Sequence, residues 1–297
     1  MVQLHLMDAT YELFRAHYAP RPPVRGTGGV LLSGVSGLCE QLLYLLREEG
    51  ATHVACATDQ IIESFRNDLY AYYKSSAGMP PELLAQFPIA ERAIEALGIA
   101  LWPMVELEAD DALATAAARW AQAPGVDRVV ICSVDKDLAQ CVRDSQVVLW
   151  DRRRGLTYDE DGVVAKWGVA PTSIPDLLAL VGDSSDGYPG LQGWGSRSAA
   201  AVLARYGSID AIPPRASSWD VPGGVRGAVG LAAVLSDRRE EVELYRTLAR
   251  LRLDADIPQR DPEELRWQGA IRSDWEQLCD ELGLDRLRAR PHRWQGE

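Results

Sequence analysis

Apolar residues alternate at Val2, Leu4 and Leu6 and stop at Asp8, a pattern that predicts a short strand ending on a carboxylate. The run HVACAT at 53–58 stops at Asp59, IALWPM at 99–104 leads toward Glu108, and RVVICSV at 128–134 runs into Asp135. Helical patterns lie between them, around Leu38, Leu42, Leu43, Leu45 and Leu46 and through the alanine-rich stretch 111–122. This alternation predicts an α/β fold with a parallel sheet flanked by helices. In such sheets ligands bind in the crevice beyond the carboxyl ends of the strands, so the acids at the strand ends are expected to share one crevice. From about residue 172 the pattern changes to short helices broken by glycine: SIPDLLALVG, GYPGLQGWG and SRSAAAVLARYG. The stretch 211–224 reads as a loop, 225–251 as helix again, and the tail 257–297 holds one clear helix near 274–283.

Composition narrows the class. The chain has 297 residues, 47% of them hydrophobic and 25% charged, enough for a sizeable core in one large domain or in a large domain with a small appendage. No apolar run is long enough to span a bilayer and the opening MVQLHLMD lacks the features of a signal peptide, so the expectation is a cytoplasmic protein with no membrane partner. Five cysteines without C-x-x-C spacing read as reduced core residues, and His17 and His53 as structural histidines, not metal ligands. A net charge of −12 repels phosphate. A phosphate-bearing substrate therefore requires acids gathered in one cleft with arginines elsewhere.

Each acidic motif has an ordinary explanation when taken alone. Glu108-Ala109-Asp110-Asp111 and Asp135-Lys136-Asp137-Leu138 each open a predicted helix, where carboxylates are favoured by about 0.3–1 kcal/mol. Asp183 and Asp186 in GDSSDG fit a turn. Together the acids are harder to explain, because carboxylates a few ångströms apart repel one another unless protons or cations intervene. An all-oxygen group suits Mg²⁺ or Mn²⁺, and two such ions can activate water and stabilise a leaving oxygen in phosphodiester hydrolysis.

Five collinear blocks over roughly residues 2–256 resemble the 5′ nuclease family, which comprises flap endonucleases, phage 5′–3′ exonucleases and the 5′ nuclease domain of bacterial DNA polymerase I. They are Asp8 with Phe14-Arg15; Asp59 with Ser64-Phe65-Arg66 and Tyr73-Lys74; Glu108 to Asp111; Asp135 to Gln140; and Gly182 to Asp186 leading to Pro189-Gly190 and Gly193-Trp194-Gly195. The resemblance implies a PIN-like catalytic domain over 1–171 with a helical arch at about 65–97, a helix-three-turn-helix DNA-binding region over 172–256, and a C-terminal extension over 257–297. It implies two Mg²⁺ or Mn²⁺ ions. Asp8, Asp59, Glu108 and Asp110 form the first ligand group, with Asp110 shared, and Asp111, Asp135, Asp137, Asp183 and Asp186 form the second. Arg66 and Lys74 are expected to reach the scissile phosphate. Arg15, Tyr73, Gly190, Gly193, Gly195, Arg197 and Ser198 are expected to contact DNA, with potassium at the hairpin. Tyr70, Tyr72 and Tyr73 can stack on bases, although an aromatic cluster more often packs internally, and Arg152 to Arg154 read as a solvated turn.

The implied activity is 5′–3′ exonuclease and 5′ flap endonuclease action in primer removal or repair. The implied substrate is DNA with 5′ ends or flaps, RNA-primed ends included, bound by a monomer with a polymerase acting in trans. Ala9, Phe14, Ala77, Val134, Gly187, Arg197 and Ser198 depart from common family residues, and Ala77 removes a positive charge from the arch. Two other readings stand beside this one. A phosphatase or phosphotransferase with an aspartate nucleophile explains the strand-end acids but not the hairpin. A non-catalytic or weakly catalytic branched-DNA binder would be expected to have lost carboxylates that this chain keeps.

Overall fold

The computed structural model describes residues 2–297. In chain order its main elements are β1 (Val2–Asp8), α1 (Ala9–His17), α2 (Ser33–Arg47), β2 (His53–Asp59), α3 (Phe65–Leu69), α4 (Pro81–Leu84), α5 (Phe87–Ala96), β3 (Ala100–Met104), α6 (Ala109–Trp120) and β4 (Val126–Cys132). There follow β5 (Val147–Asp151), β6 (Leu156–Tyr158), α7 (Glu160–Trp167), α8 (Ile174–Val181), α9 (Ser196–Tyr206), α10 (Ala228–Asp237), α11 (Arg239–Ala249), α12 (Arg272–Leu282) and α13 (Asp285–Arg288). The chain forms two compact units, one of residues up to 62, 76–133 and 253–297, the other of 63–75 and 134–252. Among the described residues no helix is long and apolar enough to cross a membrane.

In the first unit β1 to β4 run parallel in the order β3-β2-β1-β4. Leu4, Leu6 and Met7 of β1 and Val54 to Ala57 of β2 are buried on both faces, which is why these strands read as nearly continuous apolar runs. The register sets Asp8 opposite Ala57 and Met7 opposite Cys132, so β1 and β4 end within one residue of each other and β2 runs two residues further, to Asp59. Strand order reverses at β1, which makes the carboxyl ends of β1 and β4 a switch point. Leu38, Leu42, Leu45 and Leu46 of α2 are buried at helical spacing.

The expected arch segment is not one helical element. α3 ends at Leu69, and Pro81 and Pro88 stand in the first turns of the short α4 and the ten-residue α5. α5 is a core helix: Phe87, Ala90, Ala93 and Ile94 are buried, and it packs on α2, β3 and α12. The tail is equally integral to this unit. Trp267 Nε1 donates to Leu97 O at 2.7 Å, Trp102 Nε1 to Gln259 Oε1 at 2.8 Å, and Arg119 to the carbonyls of Ile257 and Gln259. His53 is buried and pairs with Thr52 and Glu263, while His17 Nδ1 pairs with Gln86.

The second unit contains the antiparallel β5–β6 hairpin, whose turn holds Arg152 to Arg154, and the helices α3 and α7 to α11. α8 packs against α9 and α11. The expected helix over 225–251 is broken at Arg238, which leaves helical geometry at φ −112°, ψ 33° and divides it into α10 and α11. All five cysteines are free.

Candidate metal centre

In the first unit the acids are fixed by the backbone they cap. Asp8 ends β1 and its Oδ1 accepts from Tyr11 N at 2.8 Å, capping α1, while Oδ2 accepts from Ser133 Oγ at 2.8 Å. Asp59 Oδ1 accepts from Ala109 N at 2.7 Å, and Asp59 N donates to Thr10 Oγ1. This pairing draws the end of β2 to the start of α6, where Glu108 is the N-cap and Asp111 Oδ2 accepts from Glu108 N at 3.0 Å. Asp8, Asp59, Glu108 and Asp111 are buried and Asp110 is half-buried. Capping and ligand roles are therefore compatible, since each carboxylate oxygen can accept from more than one partner.

In the second unit the geometry is tighter. Among the described residues, Asp137, Asp183 and Asp186 present ligand oxygens all within 4.8 Å of one another. Asp183 and Tyr188 exchange two backbone hydrogen bonds of 2.8 and 3.1 Å, closing the loop 183–188, and Ser185 N donates to Asp183 Oδ1. Asp137 N donates to Asp135 Oδ1 at 3.0 Å, so the exposed Asp135 orders the turn that presents Asp137. Burial pushes the Asp137 carboxyl well above the usual range, helped by the charges of Asp135, Asp186 and Asp183 and opposed by Lys136.

Asp137 Oδ1 is buried with no hydrogen-bond partner. An orphaned carboxylate oxygen beside two further carboxylates is costly without a cation. The three-carboxylate set fits a hard divalent ion with oxygen preference.

The cationic residues expected to meet the substrate are placed differently from one another. Lys74 is half-buried, with Nζ 3.9 Å from Asp186 Oδ1 and its backbone N bonded to Asp186 O at 3.0 Å. Asn67 secures this arrangement by donating to Lys74 O at 3.0 Å. Gly187, at φ +85°, permits it, because a Cβ there would lie 2.3 Å from Tyr72 O.

Arg66 departs from the expectation. It is 1% exposed, and it donates through Nε to Leu248 O at 2.8 Å and through Nη2 to Arg250 O at 3.2 Å. Carbonyls at the end of α11 have no partner within the helix, and the guanidinium donates to them in this structure. Tyr73 is likewise 4% exposed. Its ring stacks on Tyr188 at 6.5 Å, and Tyr188 stacks on Tyr245 at 5.7 Å. Tyr73 is thus packing in this structure, while Tyr72 is exposed. Arg15 is half-buried and paired with Glu12.

The hairpin residues also divide. Gly190 is buried at φ +70°, where a Cβ would meet Gly182 N at 2.3 Å and Val181 C at 2.4 Å. It is packed against backbone inside the unit. Gly193 and Gly195 are exposed, and a Cβ on Gly195 would meet nothing within 4 Å. Gly195 caps α9 without a side-chain acceptor, and Arg197 and Ser198 follow in the first turn, exposed and half-buried respectively.

Sequence reasoning overlooked Thr10, Asn67, Ser133, Tyr188 and Lys136. Lys136 was legible in principle, as a lysine flanked by two acids within an acidic motif. The others act through contacts that no local pattern reports.

Carboxylates end parallel strands in one unit of this α/β protein, and a three-carboxylate set in the other unit is suited to a divalent ion. A family model described as "5'-3' exonuclease, N-terminal resolvase-like domain" matches residues 3–168, and one described as "5'-3' exonuclease, C-terminal SAM fold" matches residues 169–273. The chain belongs to the 5′–3′ exonuclease family, a family of nucleases.

DNA polymerase I of Mycobacterium leprae is 36% identical over 266 residues, 84% of this chain but 28% of that protein, so the chain spans under a third of that relative. A 5'-3' exonuclease of Aquifex aeolicus is 32% identical over 213 residues, 71% of this chain and 72% of that one. The fold is similar to that of the bacteriophage T5 D15 protein co-crystallised with metal ions, with TM-score 0.63 at 17% identity, covering 96% of this chain and 97% of that one. It is also similar to the catalytic core of Rad2 in complex with DNA substrate, with TM-score 0.61 at 16% identity, covering 97% and 92%.

Proposed function

We propose that the chain is a divalent-metal-dependent 5′–3′ exonuclease and 5′ flap endonuclease that hydrolyses DNA phosphodiesters near 5′ ends in primer removal or repair. The observation that carries this reading is the Asp137, Asp183 and Asp186 set with its orphaned buried oxygen, found in a chain of this family. In this reading Asp8, Asp59, Glu108 and Asp110 hold one Mg²⁺ or Mn²⁺ ion and Asp111, Asp135, Asp137, Asp183 and Asp186 hold a second. The ions supply activation of water and stabilisation of the leaving oxygen. Ser133 and Thr10 hold Asp8 and Asp59 in place, and Lys74 offers its charge to the scissile phosphate.

Duplex DNA is assigned to residues 172–256. There Gly193 and Gly195 let the phosphate backbone approach, the first turn of α9 donates N–H groups, and Arg197 and Ser198 add side-chain contacts. Potassium at this hairpin belongs to the same reading. Residues 1–171 are assigned the chemistry, 257–297 serve as an extension, and a DNA polymerase, as the names of the relatives suggest, is the partner in the cytoplasm.

The test compares 5′ flap, 3′ flap, nicked and RNA-primed substrates with Mg²⁺, Mn²⁺ or EDTA, for the wild type and Asp110→Asn. Cleavage of 5′ substrates with a divalent ion, and retention of DNA without cleavage by Asp110→Asn, are expected. Binding of branched DNA by the wild type without any product would favour the non-catalytic reading. Equal rates on 3′ and 5′ flaps would remove the polarity.

A further inference from the structure

Lys136 places a cation on the carboxylates that the proposed function assigns to the second divalent ion. Its Nζ lies 2.7 Å from Asp183 Oδ2, and the charges of Asp137 and Asp135 act on it as well. The two partners differ in freedom. The Asp183 side chain is 4% exposed and is held by Ser185 N, whereas that of Lys136 is 37% exposed, so the ammonium can withdraw into water along its four-carbon stem while the carboxylate stays in place. The lysine does not complete the set, because Asp137 Oδ1 remains without a partner. A divalent ion bound to Asp183 Oδ2 at about 2.0–2.1 Å would occupy the region where the ammonium now lies, and the two cations repel.

We infer that Lys136 is a built-in counter-cation of the Asp137, Asp183 and Asp186 group, displaced when a divalent ion binds, and that it sets the ion concentration at which the group fills. This rests on the assignment of that group to a divalent ion. The lysine neutralises part of the charge while the ion is absent and competes with the ion for Asp183. A purely structural ion pair has the opposite consequence: its loss would loosen the loop 183–188 and weaken ion binding.

Calorimetric titration of Mn²⁺ into metal-free wild type, Lys136→Met and Asp183→Asn distinguishes these outcomes, with thermal melting in EDTA and in saturating Mn²⁺ alongside. Lys136→Met should bind Mn²⁺ about tenfold more tightly, given a charge-assisted hydrogen bond discounted for its exposure. It should also melt lower than wild type in EDTA, with the gap closing in saturating Mn²⁺. Asp183→Asn should lose one binding event. Unchanged or weaker Mn²⁺ affinity in Lys136→Met, with a site lost in Asp183→Asn, overturns the counter-cation role alone. Unchanged stoichiometry in Asp183→Asn overturns the ion assignment and the role together. Lys136→Gln serves the same comparison where the methionine variant does not fold.

Discussion

Replacing Gly190 by alanine should unfold the loop that carries Asp183 and Asp186 before it affects anything else. At φ +70° a non-glycine residue costs about 1–2 kcal/mol. The new Cβ would meet Gly182 N at 2.3 Å, Val181 C at 2.4 Å and Leu180 O at 2.7 Å, all of them backbone atoms that cannot rotate away. Relief requires the two chain segments to separate, which strains the 2.9 Å bond from Leu191 N to Leu180 O and the paired bonds between Asp183 and Tyr188. Leaving one such buried group unsatisfied costs a further 1–3 kcal/mol or so. The expected loss is about 2–5 kcal/mol, a large fraction of the stability of an ordinary domain.

Gly195→Ala is the control, because no atom lies within 4 Å of its Cβ; its effect should stay within about 0.5 kcal/mol. Urea unfolding of metal-free protein measures both, and the melting shift on adding Mn²⁺ reports whether the loop still binds an ion. A Gly190→Ala midpoint equal to wild type would refute the packing argument. Gly195→Val should weaken duplex binding at unchanged stability.

Arg66→Ala should lower stability by about 2–4 kcal/mol, because it strips a charged donor from the carbonyls of Leu248 and Arg250; a variant that melts with wild type and loses only cleavage would return Arg66 to the substrate. Burial raises the folded-state Asp137 carboxyl, so in metal-free protein its contribution is full below the ordinary value of about 4 and is lost as pH climbs through the raised one. Asp137→Asn should therefore flatten this decline and melt higher than wild type in EDTA near pH 8, and a lower melting temperature there would contradict the sign. Arg197→Ala should reduce the salt slope of duplex binding by about one phosphate contact in anisotropy titrations, and an unchanged slope would remove Arg197 from the interface.

The residues that end strands were the readable part of this protein. Alternation stopping at Asp8 and Asp59, and the acid-rich starts after β3 and β4, depend only on local pattern, and the structure keeps both. Breaks in helices were harder to read, since Arg238 interrupts an otherwise continuous apolar period without proline or glycine. The contacts of Arg66 were not legible because its partners, Leu248 and Arg250, lie more than 180 residues away, and an arginine looks the same in sequence whether it meets a carbonyl or a phosphate. The tail was opaque for a similar reason: Gln259, Glu263 and Trp267 form no motif of their own, and their partners, Trp102, His53 and Leu97, are far upstream.

That tail gives the molecule a timetable. Ribosomes deliver β1, β2 and β3 early, yet Trp102 lacks its Gln259 acceptor and buried His53 its Glu263 partner until residues beyond 252 have been translated. Contacts this distant in sequence close slowly and leave apolar surface open in the interval. A nascent chain paused in the helical region therefore carries an unsealed sheet, a target for chaperones and proteases. The unit bearing Asp8, Asp59 and Glu108 begins to be translated before the other unit and completes its contacts after it.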